Sequence, residues 1–374
     1  MNAAVNPSPR DADEAAMREA LALAAHAIGL CDPNPRVGCV IVAADGSVIG
    51  RGHTQEAGGP HAEVMALRDA ASRGTSVRGA TVFVTLEPCS HQGRTPPCAD
   101  ALVAAGVGRV VIAIHDPNPL VAGQGVARLA AAGIQVSNGL CADQARELNI
   151  GFFSRMERAR PWLRLKVAVS LDGRTALENG RSQWITGDAA RSDGHAWRMR
   201  AGAVLTGVGT VRQDDPRLDV RLVRTARQPL RVVVDSRIET PPTARIVEPP
   251  GPVLLYAAIG DETRRRELEA RGVEIALLAS SSDKVDLPAM LADLGARGIN
   301  ELHVEAGEKL NASLLREGLV DELLIYVAPR LLGSGRSLAA LGPFEQLEEG
   351  PAFTFVDVTP VGDDVRLRLR PRRR

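Results

Sequence analysis

The stretch that decides the fold and the chemistry of this chain runs from His61-Ala62-Glu63 to the loop Pro88-Cys89-Ser90-His91-Gln92-Gly93-Arg94-Thr95-Pro96-Pro97-Cys98. One imidazole and two thiols supply three protein ligands to a tetrahedral zinc ion, and the fourth position stays open for water. That layout is typical of a catalytic zinc site, because four protein ligands close a structural one. We therefore predict that His61, Cys89 and Cys98 bind one Zn2+ per chain.

The secondary structure predicted around these residues puts them at the ends of elements. Gly58-Gly59-Pro60 breaks the chain before His61, and residues 62–71 have the spacing of a helix. Residues 80–86 are an almost continuous apolar strand, so Cys89 follows a carboxyl strand end, where sites collect in open α/β sheets. The positive end of the helix dipole favours an ionised Glu63 and a neutral imidazole.

The order of the four residues, H-x-E followed by P-C and a second cysteine, is the signature of the zinc deaminases. In those enzymes the metal generates hydroxide, and a glutamate that is not a ligand moves the protons. Glu63 is therefore the predicted catalytic residue. The alternative is that each residue is ordinary, since a lone cysteine is usually a small buried hydrophobe. We expect Cys31, Cys39 and Cys141 to be such buried hydrophobes. The four motif residues differ, because their residue types, their order and their secondary-structure context all match a zinc site.

Length and composition restrict the class of protein. A chain of 374 residues is long enough for about two domains. Its 45 basic and 45 acidic residues leave no positive excess to attract a nucleic-acid backbone. No apolar run approaches the ~20 residues that cross a bilayer, and residues 1–13 lack the apolar stretch of a secretory signal. With five cysteines, two of them in the zinc motif, we expect no disulfides and a cytoplasmic location, without a nucleic-acid or membrane partner.

Helices and strands alternate through the first half, which indicates a layered α/β domain with helices on both faces of a sheet. We predict helices at 14–28, 62–71, 99–105 and 121–132, and strands at 37–42, 47–50, 80–86, 109–114 and 134–136. The charged segment 143–161 is interpreted as a short helix followed by a linker. This places a domain boundary near residue 150 and gives domains 1–150 and 151–374.

Three motifs of the first half resemble one enzyme family: Asn34-Pro-Arg-Val-Gly38, Gly59-Pro-His-Ala-Glu63 and the stretch from Glu87 to Cys98. They are similar to the deaminase half of the bifunctional riboflavin-biosynthesis enzymes, diaminohydroxyphosphoribosylaminopyrimidine deaminase/5-amino-6-(5-phosphoribosylamino)uracil reductase. Eight residues separate the two cysteines, whereas cytidine and nucleic-acid deaminases typically have two between them. The resemblance implies a cytidine-deaminase-like three-layer domain in which Asn34, His91 and Arg94 contact the pyrimidine and its ribose phosphate. A guanidinium suits a phosphate through bidentate hydrogen bonds.

The second half contains motifs that resemble the reductase half of the same family, in the same order. They are Ser182-Gln-Trp-Ile-Thr186, residues 210–218, Val232-Val-Val-Asp-Ser236, Val304-Glu-Ala-Gly307 and Leu319-Val-Asp-Glu-Leu323. No G-x-G-x-x-G opens this half, so a Rossmann dinucleotide site is not supported. The resemblance implies a dihydrofolate-reductase-like domain that uses NADPH.

The resemblance also implies a set of contact residues for this domain. NADPH would contact Ala168, Trp184, Thr210, Asp214, Ser236 and the turn and helix start formed by Gly307, Glu308, Lys309, Leu310, Asn311, Ala312 and Ser313. The ribityl-phosphate end of the substrate would face Lys166, Ser182, Arg198, Leu218, Arg221 and Glu305. Glu308 and Lys309 are larger than the residues expected in a cofactor turn.

These roles are physically reasonable, although simpler interpretations stay open. Two arginines can clamp a phosphate, and Trp184 can cover an apolar cofactor face. The alternative is that a tryptophan belongs to the core, which we prefer for Trp197 on its predicted helix. The basic residues at the C-terminus suggest a nucleic-acid tail. We favour instead a terminal edge strand at 365–370 that is protected by its charges.

Together the motifs predict a bifunctional enzyme of riboflavin biosynthesis. It would hydrolytically deaminate 2,5-diamino-6-(5-phosphoribosylamino)pyrimidin-4(3H)-one and then reduce the ribosyl group of the product to ribityl with NADPH. One alternative is a nucleic-acid or nucleoside deaminase with an appended binding domain, but zero net charge and 3% aromatic residues argue against a stacking or basic surface. Another is an interaction protein with a structural zinc, which requires four protein ligands. The resemblance leads us to expect a homo-oligomer, a dimer or a tetramer.

Overall fold

The computed structural model describes residues 9–90, 96–119 and 121–372. Its contacts divide the chain into two compact units, Met1–Arg158 and Ala159–Arg374. The segment 143–161, which we had interpreted as a short helix followed by a linker, instead contains two helices, Ala142–Leu148 and Ile150–Arg158. Phe152 and Phe153 of the second helix pack into the core of the first unit, which therefore continues beyond residue 150. Within the described ranges, no helix combines the length and the hydropathy of a membrane span.

The N-terminal unit is a single sheet with helices on both sides. In chain order its elements are α1 (Pro9–Ala25), β1 (Gly38–Val42), β2 (Val48–His53), α2 (Ala62–Ser72), β3 (Thr81–Val84), α3 (Cys98–Ala105), β4 (Arg109–Ile112), α4 (Gln124–Ala131), β5 (Gln135–Asn138), α5 (Ala142–Leu148) and α6 (Ile150–Arg158). The strand order is β2-β1-β3-β4-β5. β1 is antiparallel to β2 and β3, and β3, β4 and β5 are parallel.

Alternating residues of β1 pack on opposite faces of this sheet, as the pleat of a strand requires. Cys39 and Ile41 lie in one core cluster with Ala66 of α2. Val40 lies in the cluster on the other face with Met17 of α1. The predicted three-layer α/β arrangement is therefore confirmed.

A glycine lets α2, the helix that begins after His61, lie close to the hairpin. A Cβ added at Gly52 would lie 2.2 Å from the carbonyl oxygen of Ala62 and 2.4 Å from the amide nitrogen of Ala66. No side chain fits such a gap, so Gly52 fixes how near the helix approaches β2. The first turn of α2, which carries Glu63, is positioned by this contact.

The C-terminal unit contains a larger, mostly parallel sheet. In chain order its elements are β6 (Trp162–Ser170), β7 (Arg174–Leu177), α7 (Asp188–Arg200), β8 (Ala203–Gly207), α8 (Val208–Asp214), β9 (Leu230–Val234), β10 (Val253–Ala257), α9 (Glu262–Glu269), β11 (Val273–Leu277), α10 (Leu287–Ala296), β12 (Glu301–Val304), α11 (Glu308–Arg316), β13 (Glu322–Ala328), β14 (Gly335–Ser337), a 3-10 turn (Leu347–Glu349), β15 (Phe353–Val361) and β16 (Asp364–Pro371). The strand order of the main sheet is β11-β10-β9-β8-β12-β6-β13-β16-β15, and β14 pairs with β7.

The strands from β11 to β13 are parallel, and β16 and β15 complete the sheet as antiparallel strands. β16 therefore lies inside the sheet, and β15 forms the edge. Our prediction of an edge strand at 365–370 was wrong because β15 was not recognised. The apolar alternation of β15 is interrupted where its register shifts between Phe355 and Asp357, and Phe355 and Val358 are exposed, so neither face has the continuous pattern of a buried strand face.

A buried ionic cluster connects β6, β12, β13 and β16. The guanidinium of Arg164 is 1% exposed, and it donates to Glu301 at 2.9 Å and to Glu322 at 2.6 Å. The carboxylate of Glu322 also accepts from Arg368 at 2.8 Å. Trp197 of α7 packs beside this cluster, with the Arg164 guanidinium 4.3 Å from its ring centroid. Trp197 is partly buried and packs against the core cluster of Ala190, Leu324 and Tyr326, in keeping with the structural role that we had preferred for it.

We predict that Glu322→Gln lowers the free energy of unfolding of the C-terminal unit by about 3 kcal/mol, because the buried Arg164 then loses one of its two carboxylate partners. Urea unfolding followed by tryptophan fluorescence measures this unit selectively, since all three tryptophans of the chain, Trp162, Trp184 and Trp197, lie within it. Glu269→Gln is the control, because Glu269 lies in the same unit and forms an exposed pair with Arg265 that contributes at most about 0.5 kcal/mol.

The loss of stability caused by Glu322→Gln should depend on pH. Burial opposes ionisation of Glu322, but Arg164 and Arg368 outweigh it and lower the pKa of this carboxyl to about 2. A carboxyl with a depressed folded-state pKa stabilises the fold above its unfolded pKa of about 4.5, and this stability is lost as the pH falls towards 2. The difference between wild type and Glu322→Gln should therefore shrink below pH 4.5. A difference that stays constant from pH 7 to pH 3 would contradict this assignment.

Candidate active sites

Three ligand atoms converge in the N-terminal unit. His61 caps α2, Cys89 follows β3, and Cys98 is the first residue of α3. The Nδ1 atom of His61 lies 3.5 Å from Sγ of Cys89 and 3.3 Å from Sγ of Cys98. Ligand atoms of a tetrahedral zinc with Zn–N of about 2.0 Å and Zn–S of about 2.3 Å lie about 3.5 Å apart. The donor set therefore fits zinc, and it is the one such cluster of three or more His, Cys, Asp or Glu side chains in the described residues.

Glu87 fastens the loop that carries Cys89. Its side chain is fully buried, and its Oε1 accepts hydrogen bonds from the amides of Gly125 at 3.0 Å and Val126 at 3.2 Å. Its Oε2 accepts from the amide of Gly123 at 3.1 Å. A carboxylate at the start of α4 is stabilised by the free amides and the dipole of that helix. Glu87 thereby fixes the chain two residues before a zinc ligand.

The two thiols and Glu63 influence one another electrostatically. Hydrogen bonds from Cys98 and His61 lower the pKa of the Cys89 thiol to about 4 although burial opposes this shift. The hydrogen bond to Cys89, together with burial, raises the pKa of Cys98. The two sulfurs therefore share one proton, which a bound metal ion would displace. Glu63 is 3% exposed, and burial, with the charge of Cys89, raises the pKa of its carboxyl to about 7.

A cavity of about 470 Å³ opens beside these residues. It is lined by His61, Glu63 and Cys89 and by the predicted substrate residue Asn34, so the structure brings these four together. Its size suits a small-molecule ligand. The other two predicted contacts, His91 and Arg94, lie outside the described residues.

Sequence reasoning missed several residues of this cavity. Asp116 and Asn118 line it, and burial raises the pKa of Asp116 to about 6. Both follow β4 at its carboxyl end, so the rule that located Cys89 after β3 would also have found them. Phe152 and Arg155 of α6 line the cavity as well. Their signal was the apolar periodicity of residues 150–156, which the charged flanks of this helix obscured.

A second cavity, of about 580 Å³, lies in the C-terminal unit. Its lining includes five of the predicted residues: Lys166, Trp184, Arg198, Arg221 and Glu305. Trp184 is 59% exposed, so it is a cavity residue and not a core residue.

Two predicted substrate residues do not line this cavity. Leu218 is 2% exposed and packs in a core cluster with Val204 and Val233. Ser182 is partly buried and lies two residues before Trp184. Tyr326 and His195, which we had not predicted, line the cavity instead.

Three of the predicted NADPH residues collect at one edge of the main sheet. β9, β8 and β12 are neighbouring parallel strands, and Ser236, Thr210 and Gly307 each follow one of them. A Cβ added at Gly307 would lie 3.6 Å from Oγ1 of Thr210, so these two residues adjoin. Gly307 is exposed and precedes α11, whose free amides suit a phosphate.

The remaining predicted NADPH residues differ in their access to solvent. Asn311 and Ala312 are buried, and the side chain of Asn311 donates to the carbonyl of Leu338 at 2.8 Å. These two residues support the turn from inside the unit. The others are partly or fully accessible: Ala168 on β6, Asp214 at the end of α8, and Glu308, Lys309, Leu310 and Ser313 on α11.

Arg198 directs its guanidinium towards Glu305. Its Nη2 donates to Oε2 of Glu305 at 3.0 Å, its Nε donates to Oε1, and its Nη1 donates to the carbonyl of Asp219 at 3.0 Å. Nζ of Lys166 lies 3.8 Å from the same carboxylate. Burial opposes ionisation, but Arg198 and Lys166 hold the pKa of Glu305 well below its usual value. Of the two predicted clamp arginines, Arg198 is therefore committed to Glu305.

Comparison with protein families divides the chain in the same way. The cytidine and deoxycytidylate deaminase zinc-binding region matches residues 10–114, and the RibD C-terminal domain matches residues 161–367. With the His–Cys–Cys cluster, these matches define an enzyme that joins a zinc-dependent deaminase domain to a reductase domain.

Full-length relatives make the assignment specific. Riboflavin biosynthesis protein RibD of Escherichia coli (strain K12) is 47% identical over 370 residues, which cover 96% of this chain and 99% of that protein. RibD of Aquifex aeolicus (strain VF5) is 40% identical over 95% of this chain and 98% of that protein. The structure of Acinetobacter baumannii RibD has a TM-score of 0.88 at 44% identity, covering 98% of this chain and all of that chain. The chain belongs to the RibD family of riboflavin-biosynthesis proteins.

This membership confirms the bifunctional deaminase and reductase predicted from the motifs, with Zn2+ and NADPH as cofactors. A Thermotoga maritima structure described as a diaminohydroxyphosphoribosylaminopyrimidine deaminase/5-amino-6-(5-phosphoribosylamino)uracil reductase has a TM-score of 0.87 at 33% identity, covering 98% of this chain and all of that chain. The alternative of a deaminase with an appended nucleic-acid-binding domain is set aside by the match of residues 161–367 to a reductase domain. The structural-zinc alternative required a fourth protein ligand, and the described residues supply three.

We predict that Cys98→Ser lowers the zinc affinity by on the order of 100-fold or more, since loss of an outer-shell partner alone costs about 10–100-fold. Zinc per chain, measured by plasma mass spectrometry after dialysis against a weak chelator, reports the change. Cys141→Ser is the control, because Cys141 lies at the start of α5 and outside the zinc cluster. Full zinc content in Cys98→Ser would refute the ligand assignment.

Proposed function

We propose that the N-terminal unit deaminates 2,5-diamino-6-(5-phosphoribosylamino)pyrimidin-4(3H)-one and that the C-terminal unit reduces the ribosyl group of the product to ribityl. The observation that carries the proposal is a buried carboxylate, Glu63, that lies in one cavity with a three-ligand zinc cluster. The double name of the Thermotoga maritima relative supports the choice of substrate. The experiment that tests it is an assay of both half-reactions on the purified chain.

In the deaminase unit, His61, Cys89 and Cys98 would hold a Zn2+ ion, which activates water when bound. The carboxylate of Glu63 would accept one proton from water and deliver it to a ring nitrogen as the hydroxyl adds to the amino-bearing carbon. It would then carry the proton of the added hydroxyl to the departing amino group. Without a metal ion, burial raises the pKa of Glu63 to about 7, and a bound Zn2+ would shift it towards the ionised form that accepts a proton. One water is consumed, a carbonyl replaces the amino group, and ammonia leaves.

The rest of the deaminase cavity offers complementary groups to the substrate. Asn34, Asp116 and Asn118 present amide and carboxyl groups that can pair with the edges of a diaminopyrimidinone. The ring of Phe152 supplies an apolar wall, and Arg155 brings a guanidinium to the same cavity. We propose that the first three residues orient the ring and that Arg155 contributes to binding of the phosphoribosyl group.

We predict that Glu63→Gln lowers the deamination rate by about 10²–10⁴-fold, because the variant keeps the shape of the side chain but not its proton-accepting group. Ammonia release measures the rate, and zinc content and the reductase rate should stay at the wild-type level. Glu56→Gln is the matched control, since Glu56 is exposed and does not line the cavity. Loss of zinc in Glu63→Gln would show that Glu63 is a ligand and would overturn its proposed role.

In the reductase unit, NADPH supplies the hydride when bound. The residues that follow the parallel strands, Thr210, Ser236 and Gly307, would bind the cofactor, and Trp184 would cover an apolar face of it. Lys166 and Glu305, whose charged groups lie 3.8 Å apart, orient the ribosyl chain so that C1′ of its ring-opened form receives the hydride. The unit therefore works mainly by positioning.

We predict that Trp184→Ala raises the KM for NADPH about tenfold, because the cofactor loses contact with a large aromatic surface. The loss of near-ultraviolet absorbance of NADPH in the presence of the deaminated intermediate measures the rate. Leu331→Ala is the control, since Leu331 is 72% exposed and does not line the cavity. An unchanged KM would remove Trp184 from the cofactor site, and no absorbance change with wild-type protein would remove the reductase proposal.

Three further expectations stay predictions. They are assembly into a homo-oligomer (a dimer or a tetramer), a cytoplasmic location, and the absence of nucleic-acid and membrane partners. Light scattering coupled to size-exclusion chromatography decides the first, because it measures the mass of the assembly directly. A mass equal to one chain would end the expectation of an oligomer.

A further inference from the structure

His195 occupies a position in the reductase cavity that the preceding assignments leave unused. It lies on α7, its side chain contacts the cavity, and it is 5% exposed. Its Nδ1 accepts a hydrogen bond of 3.2 Å from the backbone amide of Arg221. An amide N–H can only donate, so Nδ1 carries no proton and the proton of the neutral ring lies on Nε2. In the described part of the chain Nε2 has no hydrogen-bond partner.

The surroundings of His195 keep its ring neutral. Burial, followed by the charges of Arg198 and Arg221, lowers its pKa to about 4. Glu305 and Asp219 act in the opposite direction without reversing the shift. The neutral ring therefore keeps one tautomer: Nδ1 accepts from the backbone amide of Arg221, and Nε2–H is a donor at the cavity wall.

Arg221 is held at both its backbone and its side chain. His195 accepts from its amide, and Asp219 accepts from its Nη1 at 2.5 Å. The neighbouring Val220 is fixed by Gln228, which accepts from its amide at 2.7 Å and donates to its carbonyl at 2.9 Å. The side chain of Arg221 is nevertheless 45% exposed at the cavity. A guanidinium anchored in this way keeps donors for an anion.

We propose that His195 is a positioning and specificity residue for the phosphate of the reductase substrate. Its Nδ1 fixes the backbone of Arg221, which directs the guanidinium into the cavity, and its Nε2–H donates to the phosphate beside Arg221. The inference rests on the proposed function, because it assumes a phosphorylated substrate. It follows from the commitment of Arg198 to Glu305, which deprives Arg221 of its predicted clamp partner. The other arginine of the lining, Arg191, donates to the carbonyl of Thr186 at 2.8 Å and pairs with Asp188, so it is engaged as well.

Two variants separate the two roles of the ring. The side-chain oxygen of an asparagine can replace the acceptor near Nδ1, whereas the amide nitrogen of a glutamine can replace the donor near Nε2. We expect His195→Asn and His195→Gln each to raise the KM for the phosphorylated intermediate several-fold, and His195→Ala to raise it about 10–100-fold. The kcat, the KM for NADPH and the deamination rate should stay near their wild-type values.

The specific readout is a comparison with the dephosphorylated intermediate. If His195 serves the phosphate, its variants lose little activity on this substrate. Equal losses on both substrates would indicate a general structural role and overturn the inference, as would an unchanged KM in His195→Ala. The Asn and Gln variants keep the test valid if His195→Ala does not fold. Wild-type protein that fails to reduce the phosphorylated intermediate would remove the proposed function itself, an outcome distinct from a failure of the variants alone.

Discussion

The zinc site of the N-terminal unit depends on the convergence of one imidazole nitrogen and two sulfurs within 4.8 Å of one another. These atoms come from the cap of α2, the segment after β3 and the first residue of α3. α2 and α3 both pack on the same face of the sheet, where Ala66 and Leu102 share a core cluster. Small residues at these contacts, with Gly52 beneath α2, let both helix starts approach one strand end. Apolar packing therefore sets the distances between the metal ligands.

The C-terminal unit also places its candidate site residues at strand ends, but part of its interior is ionic and not apolar. Its proposed cofactor edge is formed by the carboxyl ends of neighbouring parallel strands, as in other open α/β sheets. Its interior beside α7 is ionic, because Arg164 and Glu322 are almost fully buried and satisfy each other's hydrogen bonds. Such a pair is stable only as a set, since the desolvation of each charge is offset by its partner. One chain thus combines an apolar and a partly ionic core.

The sequence was most informative where chemistry and local structure coincide. The order and type of His61, Glu63, Cys89 and Cys98 predicted the metal cluster before any contact was known, because the motif specifies ligands and their helix and strand ends. Partners distant in the chain could not be predicted in this way. Nothing near Arg198 indicates that Glu305, 107 residues away, occupies its guanidinium. The position of β16 inside the sheet was also not predicted, because it depends on pairing with β15, a strand whose apolar alternation is interrupted.

A motif therefore specifies the chemical type of a side chain, whereas the fold decides what that side chain is free to do. Glu305 is a partly buried carboxylate, and Arg198 donates two hydrogen bonds to it. The charged residues of the lining are Lys166, Arg191, Arg198 and Arg221 against Asp188 and Glu305, and Asp219 is the adjoining partner of Arg221. Four positive and three negative groups leave one excess positive charge. That excess suits an anionic substrate. A neutral His195 beside Arg221 adds a donor without adding a further charge that would have to be desolvated, and so increases selectivity at little electrostatic cost.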